Sequence, residues 1–149
     1  MRRAFSITEL VIVVAILGIM AAIVVPCFRS EVTQAKEAAV KDHLRALRGA
    51  IELYATRHSG IAPGYAGGTP SGVPDANSFT EQAVGLEGCL SRMPENPFNH
   101  LDTILMIGNN EAFPENGTGT YGWIYQPATK TMCLDWPGVD ADGVRYRDY

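Results

Sequence analysis

The chain has 149 residues, 46% of them hydrophobic and 19% charged, with a mean hydropathy near zero. That size suits one ordinary domain and leaves no room for separate cofactor and substrate lobes, while the composition excludes both a disordered chain and a polytopic membrane protein. A formal charge of −4 argues against nucleic acid as a partner.

The apolar residues are crowded at the front. Leu10 to Val25 runs for 16 residues without a polar side chain, and no charge follows until Arg29. At 1.5 Å per residue the stretch from Leu10 to Phe28 covers roughly 28 Å, the hydrocarbon thickness of a bilayer. A core helix of a soluble protein would be apolar on one stripe, whereas this one is apolar all round, which predicts a membrane span. Arg2 and Arg3 precede it, placing the N-terminus on the cytoplasmic side and the remaining chain across the membrane. A secretory signal would end in a small-x-small cleavage site after the apolar run, and Pro26-Cys27-Phe28 fits that poorly. The unusual residue lies in front: Glu9 adjoins the apolar run, where a carboxylate either sits solvated at the headgroups or needs a partner.

Arg2-Arg3-Ala4 followed by FSITELVIVVAILGIMAAIVVP resembles the N-terminal signal of type IV pilins and of the pseudopilins of type II secretion systems. Members carry a basic leader ending in a small residue, usually Gly, then Phe, then Glu as fifth residue of the mature chain. Ala4, Phe5 and Glu9 stand at those positions, with Ala4 where Gly is the rule. The resemblance implies that residues 1–4 are a leader removed by a prepilin peptidase between Ala4 and Phe5, and that Phe5 is then N-methylated. It implies a transmembrane and assembly helix over 5–28 and a periplasmic head over 29–149. Cleavage would remove two Arg, leaving 10 basic against 16 acidic residues and a charge of −6. It would also create an α-amino cation four residues from Glu9. In a neighbouring copy displaced along the helix axis, that cation can neutralise the carboxylate, so Glu9 would set the stagger of a helical filament.

Helical periodicity continues past Pro26. Val32, Ala35, Ala39, Leu44, Leu47, Ile51 and Tyr54 recur at helical spacings among charged residues, predicting one helix from about Phe5 to His58, on the order of 80 Å long. Pro26 lacks an N–H and should loosen the turn before it, with Gly18 a second weak point. Ser59-Gly60 and Pro63 should end the helix, and the Gly/Pro/Ser-rich stretch 60–78 reads as an irregular connection. Its glycines are no phosphate loop, since no strand precedes them and no Lys-Ser/Thr follows. Phe79 to Leu90 fits a short helix with Ser78 as cap, weakened by Gly85 and Gly88.

Three strands are expected over Thr103–Ile107, Tyr121–Gln126 and Thr131–Trp136, the last two joined by Pro127-Ala-Thr-Lys130 as an antiparallel hairpin. The expected fold is therefore α+β and pilin-like: a long N-terminal helix, transmembrane in its first half and amphipathic in its second, packed on a small antiparallel sheet. The strings MPENPFNHLDTILM and TYGWIYQPATKTM also look like the globular region of pseudopilins related to the major subunit of type II secretion.

Nothing marks a catalytic centre. His43 and His58 are fifteen helical positions apart, about 22 Å along the axis, and cannot share a metal; His100 falls in a loop. Gly-x-Ser-x-Gly, Cys-x-x-Cys and His-Glu-x-x-His are all missing. Of three cysteines, Cys27 lies at the membrane exit, leaving Cys89 and Cys133 either as a disulfide in an oxidising periplasm or as two buried thiols. Asp135, Asp140 and Asp142 with Gly143 offer oxygen ligands at close spacing, either as a solvated acidic turn or as a Ca²⁺ site of the kind that some similar pseudopilins hold in their C-terminal loop.

Three functions compete. The resemblance favours a filament subunit of a type II secretion pseudopilus or a type IV pilus. Such a subunit would be anchored in the bacterial inner membrane with its head in the periplasm. Its partners would be further copies of itself, the prepilin peptidase, the inner-membrane secretion platform and minor pseudopilins. The alternatives are a signal-anchored extracytoplasmic enzyme or binding domain, and a minor pilin in adhesion or DNA uptake.

Overall fold

A computed structural model describes residues 6–85 and 90–149, together with the backbone but not the side chains of residues 25–30. Helix α1 runs Ile7–Arg57 without a break in its secondary structure, Pro26 included, close to the expected 5–58. It divides between two compact units, residues 1–36 and 37–149. In the first, the span Ile7–Val24 has a mean hydropathy of 2.8 and buries none of its residues.

In the second unit α1 turns amphipathic, and its buried stripe is Val40, Leu44, Leu47 and Ile51, with Ala55 one turn further. Spacings of four and three residues put these on one face. The expected stripe began earlier, but Val32 and Ala35 are exposed, so Val40 is where burial starts. The helix stops at a Schellman-type turn. Ser59 takes the left-handed conformation (φ 57°), and the Gly60 N–H donates to the Ala55 carbonyl at 2.7 Å. A 3-10 turn, Ala66–Gly68, then lies in the irregular connection.

Helix α2 spans Ala76–Ala83, three residues earlier at its start than expected and well short of Leu90. Its cap is Asp75, whose carboxylate accepts the Ser78 N–H at 2.8 Å, so Ser78 serves as donor and not as cap. Val84 is extended, Gly85 has a φ of 108°, and the Leu90 N–H returns to the Ala83 carbonyl; Leu90 therefore lies outside the helix.

Strands β1 (Ile104–Met106), β2 (Trp123–Gln126) and β3 (Thr131–Leu134) form one sheet in that order. β2 and β3 are the expected hairpin, with Gln126 opposite Thr131 and the Lys130 N–H donating to the Pro127 carbonyl across the turn. β1 corrects the antiparallel expectation. It pairs parallel to β2, with Ile104 opposite Trp123, so the sheet is mixed. A parallel neighbour needs a connection of about a dozen residues or more to bring the chain back to its starting edge, and the long segment 107–122 supplies it.

Trp123, Tyr125, Met132 and Leu134 project from one face of the sheet into a core shared with the α1 stripe, Phe79, Ala83, Ile104 and Tyr146. Ile124, Gln126 and Cys133 alternate onto the opposite face and are buried as well. The 107–122 connection reaches that face: the Gln126 side-chain amide donates to the Gly108 and Glu111 carbonyls.

Candidate functional site

The site singled out by the N-terminal motif is the start of α1. Glu9 lies in its first turn, where a negative charge suits the helix dipole. Ala4 and Phe5 lie outside the described residues. Immediately behind Glu9, large apolar side chains are exposed all round: Leu10, Val11, Ile12, Val13 and Val14 are each 45–60% accessible, and Ile16 to Val24 continue the pattern. Such a surface is unsustainable in water and calls for lipid or other apolar helices as its surroundings. Among the described residues no ion pair reaches Glu9. Pro26 and Cys27 fall inside α1 at positions whose side chains are not described.

The head domain spends its polar groups on its own structure. Asp135 is fully buried, and its carboxylate accepts the backbone N–H groups of Thr118 and Tyr121 and the Thr118 hydroxyl. It staples the end of the 107–122 connection to the end of β3. Asn96, also fully buried, donates to the Gly122 carbonyl and accepts from the Phe98 N–H; Asn99 does the same for Gly119, Tyr121 and Leu101. Asp140 closes a turn by accepting the N–H groups of Asp142 and Val144. The sequence leaves Asp135, Asp140 and Asp142 open between a solvated acidic turn and a Ca²⁺ site; the structure gives the first two separate sets of internal donors. The only signal that would have separated them is distant, because the donors to Asp135 lie 14 and 17 residues away.

His43 and His58 lie far apart along the axis of α1, as expected, whereas His43 and His100 come to one groove. His43 shares a hydrogen bond with the Glu95 carbonyl, His58 stacks on Tyr54 just past the helix end, and His100 sits in a loop with φ 59°. An open groove of about 440 Å³ is lined by His43, Arg92, Glu95 and His100 with Pro94 and Pro97. Among the described residues no three metal-ligating side chains converge. Cys133 is a buried free thiol whose pKa is pushed up chiefly by burial, with the Arg48 guanidinium opposing; Cys89 lies outside the described residues.

An α+β head built on the second half of one long helix, with a single apolar span and a carboxylate at its outer end, defines the pilin-like class. Similar proteins bear names from that class. Over 114 residues, 73% of this chain and 78% of the relative, it is 29% identical to type II secretion system core protein G of Klebsiella pneumoniae. It is 28% identical to prepilin peptidase-dependent protein D of Escherichia coli, over 82% of this chain and 80% of that one. It is also 28% identical to core protein G of Pseudomonas aeruginosa, over 81% and 85%. The resemblance carried by the N-terminal motif thus extends over most of the chain. No protein-family profile matches the chain, and no solved structure does.

Proposed function

We propose that this protein is a structural subunit of a type II secretion pseudopilus, held by one helix in the bacterial inner membrane with its head in the periplasm, and active in protein secretion without catalysing a reaction. Cleavage between Ala4 and Phe5 by a prepilin peptidase and methylation of Phe5 would prepare it for assembly. Copies would then pack through α1 into a helical filament on an inner-membrane secretion platform, with minor pseudopilins as further partners.

The observation that carries this reading is a span, Ile7–Val24, that is wholly exposed and apolar on every side, with Glu9 in its first turn. A charged side chain at the bilayer centre costs about 2.5–3.5 kcal/mol and less near an end, and this cost is offset when an opposite charge from an adjoining copy reaches it. On this reading the Cys133 thiol, free in the structure, would be oxidised to a disulfide with Cys89 once the head faces an oxidising compartment.

N-terminal sequencing of the membrane-extracted protein, with filament formation scored for Glu9→Ala, tests the proposal. The expected result is a mature chain starting at a methylated Phe5, and a Glu9→Ala variant that inserts in the membrane but does not polymerise. Retention of Met1 in the functional protein, with no filament from the parent chain, would sink it and favour a signal-anchored domain; filaments of ordinary length from Glu9→Ala would overturn the role given to Glu9.

A further inference from the structure

The resemblance to pseudopilins that hold calcium in a C-terminal loop makes the donor set at 135–149 worth testing against a cation. Calcium takes six to eight oxygen ligands, typically several carboxylates at once. Here two of the three carboxylates, Asp135 and Asp140, are committed, and Asp142 alone cannot supply such a set. Thr118 and Tyr121 occupy both oxygens of the buried Asp135. Asp140 accepts Asp142 N–H at 2.9 Å and Val144 N–H at 2.8 Å on Oδ1, and the Tyr149 hydroxyl at 2.7 Å on Oδ2. The hydrogen bond from Tyr149 is the main reason the Asp140 carboxyl is held below its ordinary pKa, with Lys41 contributing. A cation there would have to displace these donors. The residues do not fit one.

What the donors build is a mechanical link to α1. Tyr149 carries the Lys41 ammonium over its ring at 4.2 Å, and the Tyr146 hydroxyl donates to the Glu37 carboxylate at 2.9 Å. Behind them the rings stand in a row: Tyr149 edge-on to Tyr146, Tyr146 against Phe98, and Phe98 stacked on Trp136, with centroids 5.0–5.5 Å apart. Glu37 and Lys41 flank Val40, the first residue of α1 that is buried in the head. The segment therefore grips the helix where its packing begins.

We infer that residues 138–149 are a metal-independent clasp, in which the bond from Tyr149 to Asp140 closes the C-terminal segment on itself, under the Lys41 ammonium, and the bond from Tyr146 to Glu37 ties it to α1 where the resemblance would place a cation. It needs no calcium to close, and its strength resides in two phenol hydroxyls. This holds whether or not the chain polymerises.

The test uses the full chain in detergent micelles, its melting midpoint followed by near-ultraviolet circular dichroism in millimolar CaCl₂ and in excess EDTA. We expect the same midpoint in both. Tyr149→Phe keeps the ring over which Lys41 lies and removes only the hydroxyl; it should lower the midpoint by about 5 °C in either buffer, and Glu37→Gln should lower it by a smaller step. A midpoint that falls by more than about 5 °C when EDTA replaces calcium overturns the inference, as does a Tyr149→Phe variant that melts with the parent. Calorimetric titration of the unmutated chain with CaCl₂ tests it without any variant. No saturable heat is expected, and a saturable isotherm that Asp140→Asn abolishes would refute the clasp.

Discussion

Asp135 offers the sharpest test of how the head is held together, because its side chain has no solvent to fall back on. The fully buried carboxylate accepts Tyr121 N–H at 2.8 Å, the Thr118 hydroxyl at 3.0 Å and the Thr118 N–H. Asp135→Asn preserves size and keeps one acceptor oxygen, but turns an NH₂ group toward a backbone donor. One N–H is then left buried without a partner, and a charge-assisted bond becomes a neutral one. An unsatisfied buried donor costs about 1–3 kcal/mol and the loss of charge assistance about 1 more, so the variant should lose about 3 kcal/mol. For a chain of this length that corresponds to a drop of about 10 °C in melting midpoint. Thr118→Val removes only the hydroxyl and should cost about 1 kcal/mol. The assay is thermal unfolding of the full chain in micelles, for both single variants and the double. The two losses should not add, because both act on one network. An Asp135→Asn midpoint within about 2 °C of the parent would show that this carboxylate is not a staple, and would remove the argument that the 107–122 connection is anchored there.

Two further outcomes follow from the same packing. A Cβ on Gly122 would be driven into the backbone of Leu101, at the turn where the chain enters β2, so Gly122→Ala should unfold or severely destabilise the head; a stable, soluble Gly122→Ala chain would contradict the register of β1 against β2. Burial raises the pKa of Tyr65, Tyr125, Tyr146 and Tyr149; Tyr146 is pushed up to about 12, with its bond to Glu37 as the second cause. A group whose folded pKa is raised contributes stability below its ordinary value, here near pH 10, and loses it as pH climbs toward the folded value. Stability should therefore fall from about pH 10 upward, and ultraviolet titration should show most of the six tyrosines ionising late, together with unfolding. Six phenols titrating together near pH 10 in a folded chain would refute it.

The features legible in the sequence were those decided within a few residues. The all-round apolar run with Glu9 before it needs no tertiary knowledge, and neither does the Pro127–Lys130 turn, since its residue types and its flanking strands are adjacent. The direction of β1 was not legible, because alternation within Ile104–Met106 is the same for a parallel or an antiparallel partner. Only the length of 107–122 distinguishes them. Asp75 and Ser78 are both good capping residues three apart, and the choice between them turns on which has an extended backbone. Val32 matched the helical stripe as well as Val40 does; what separates them is where the head begins to cover α1. For the acidic residues near the C-terminus, residue type says equally metal ligand or hydrogen-bond acceptor. Their donors, Thr118, Tyr121 and Tyr149, are chosen by the fold.

One helix thus answers to two environments, and the charges along it show the division. In the head, the polar residues of α1 are engaged within the chain: Lys41 with the Tyr149 ring, Arg45 with Asp42, Arg48 with the Met132 carbonyl, and Glu52 with Lys130. Exposed pairs such as Arg45 and Asp42 contribute little to stability, so the buried stripe and the clasp carry the attachment of this half. Toward the N-terminus the chain offers the opposite arrangement: an uninterrupted apolar surface ending in a carboxylate that no described side chain pairs. Among the described residues Glu9 has no ion-pair partner, and it stands at the head of the apolar span, where such a partner matters most. On the proposed reading the missing cation is the amino group that processing exposes in the next copy, so polymerisation and cleavage become a single requirement and a precursor that keeps its leader should remain a membrane-bound monomer.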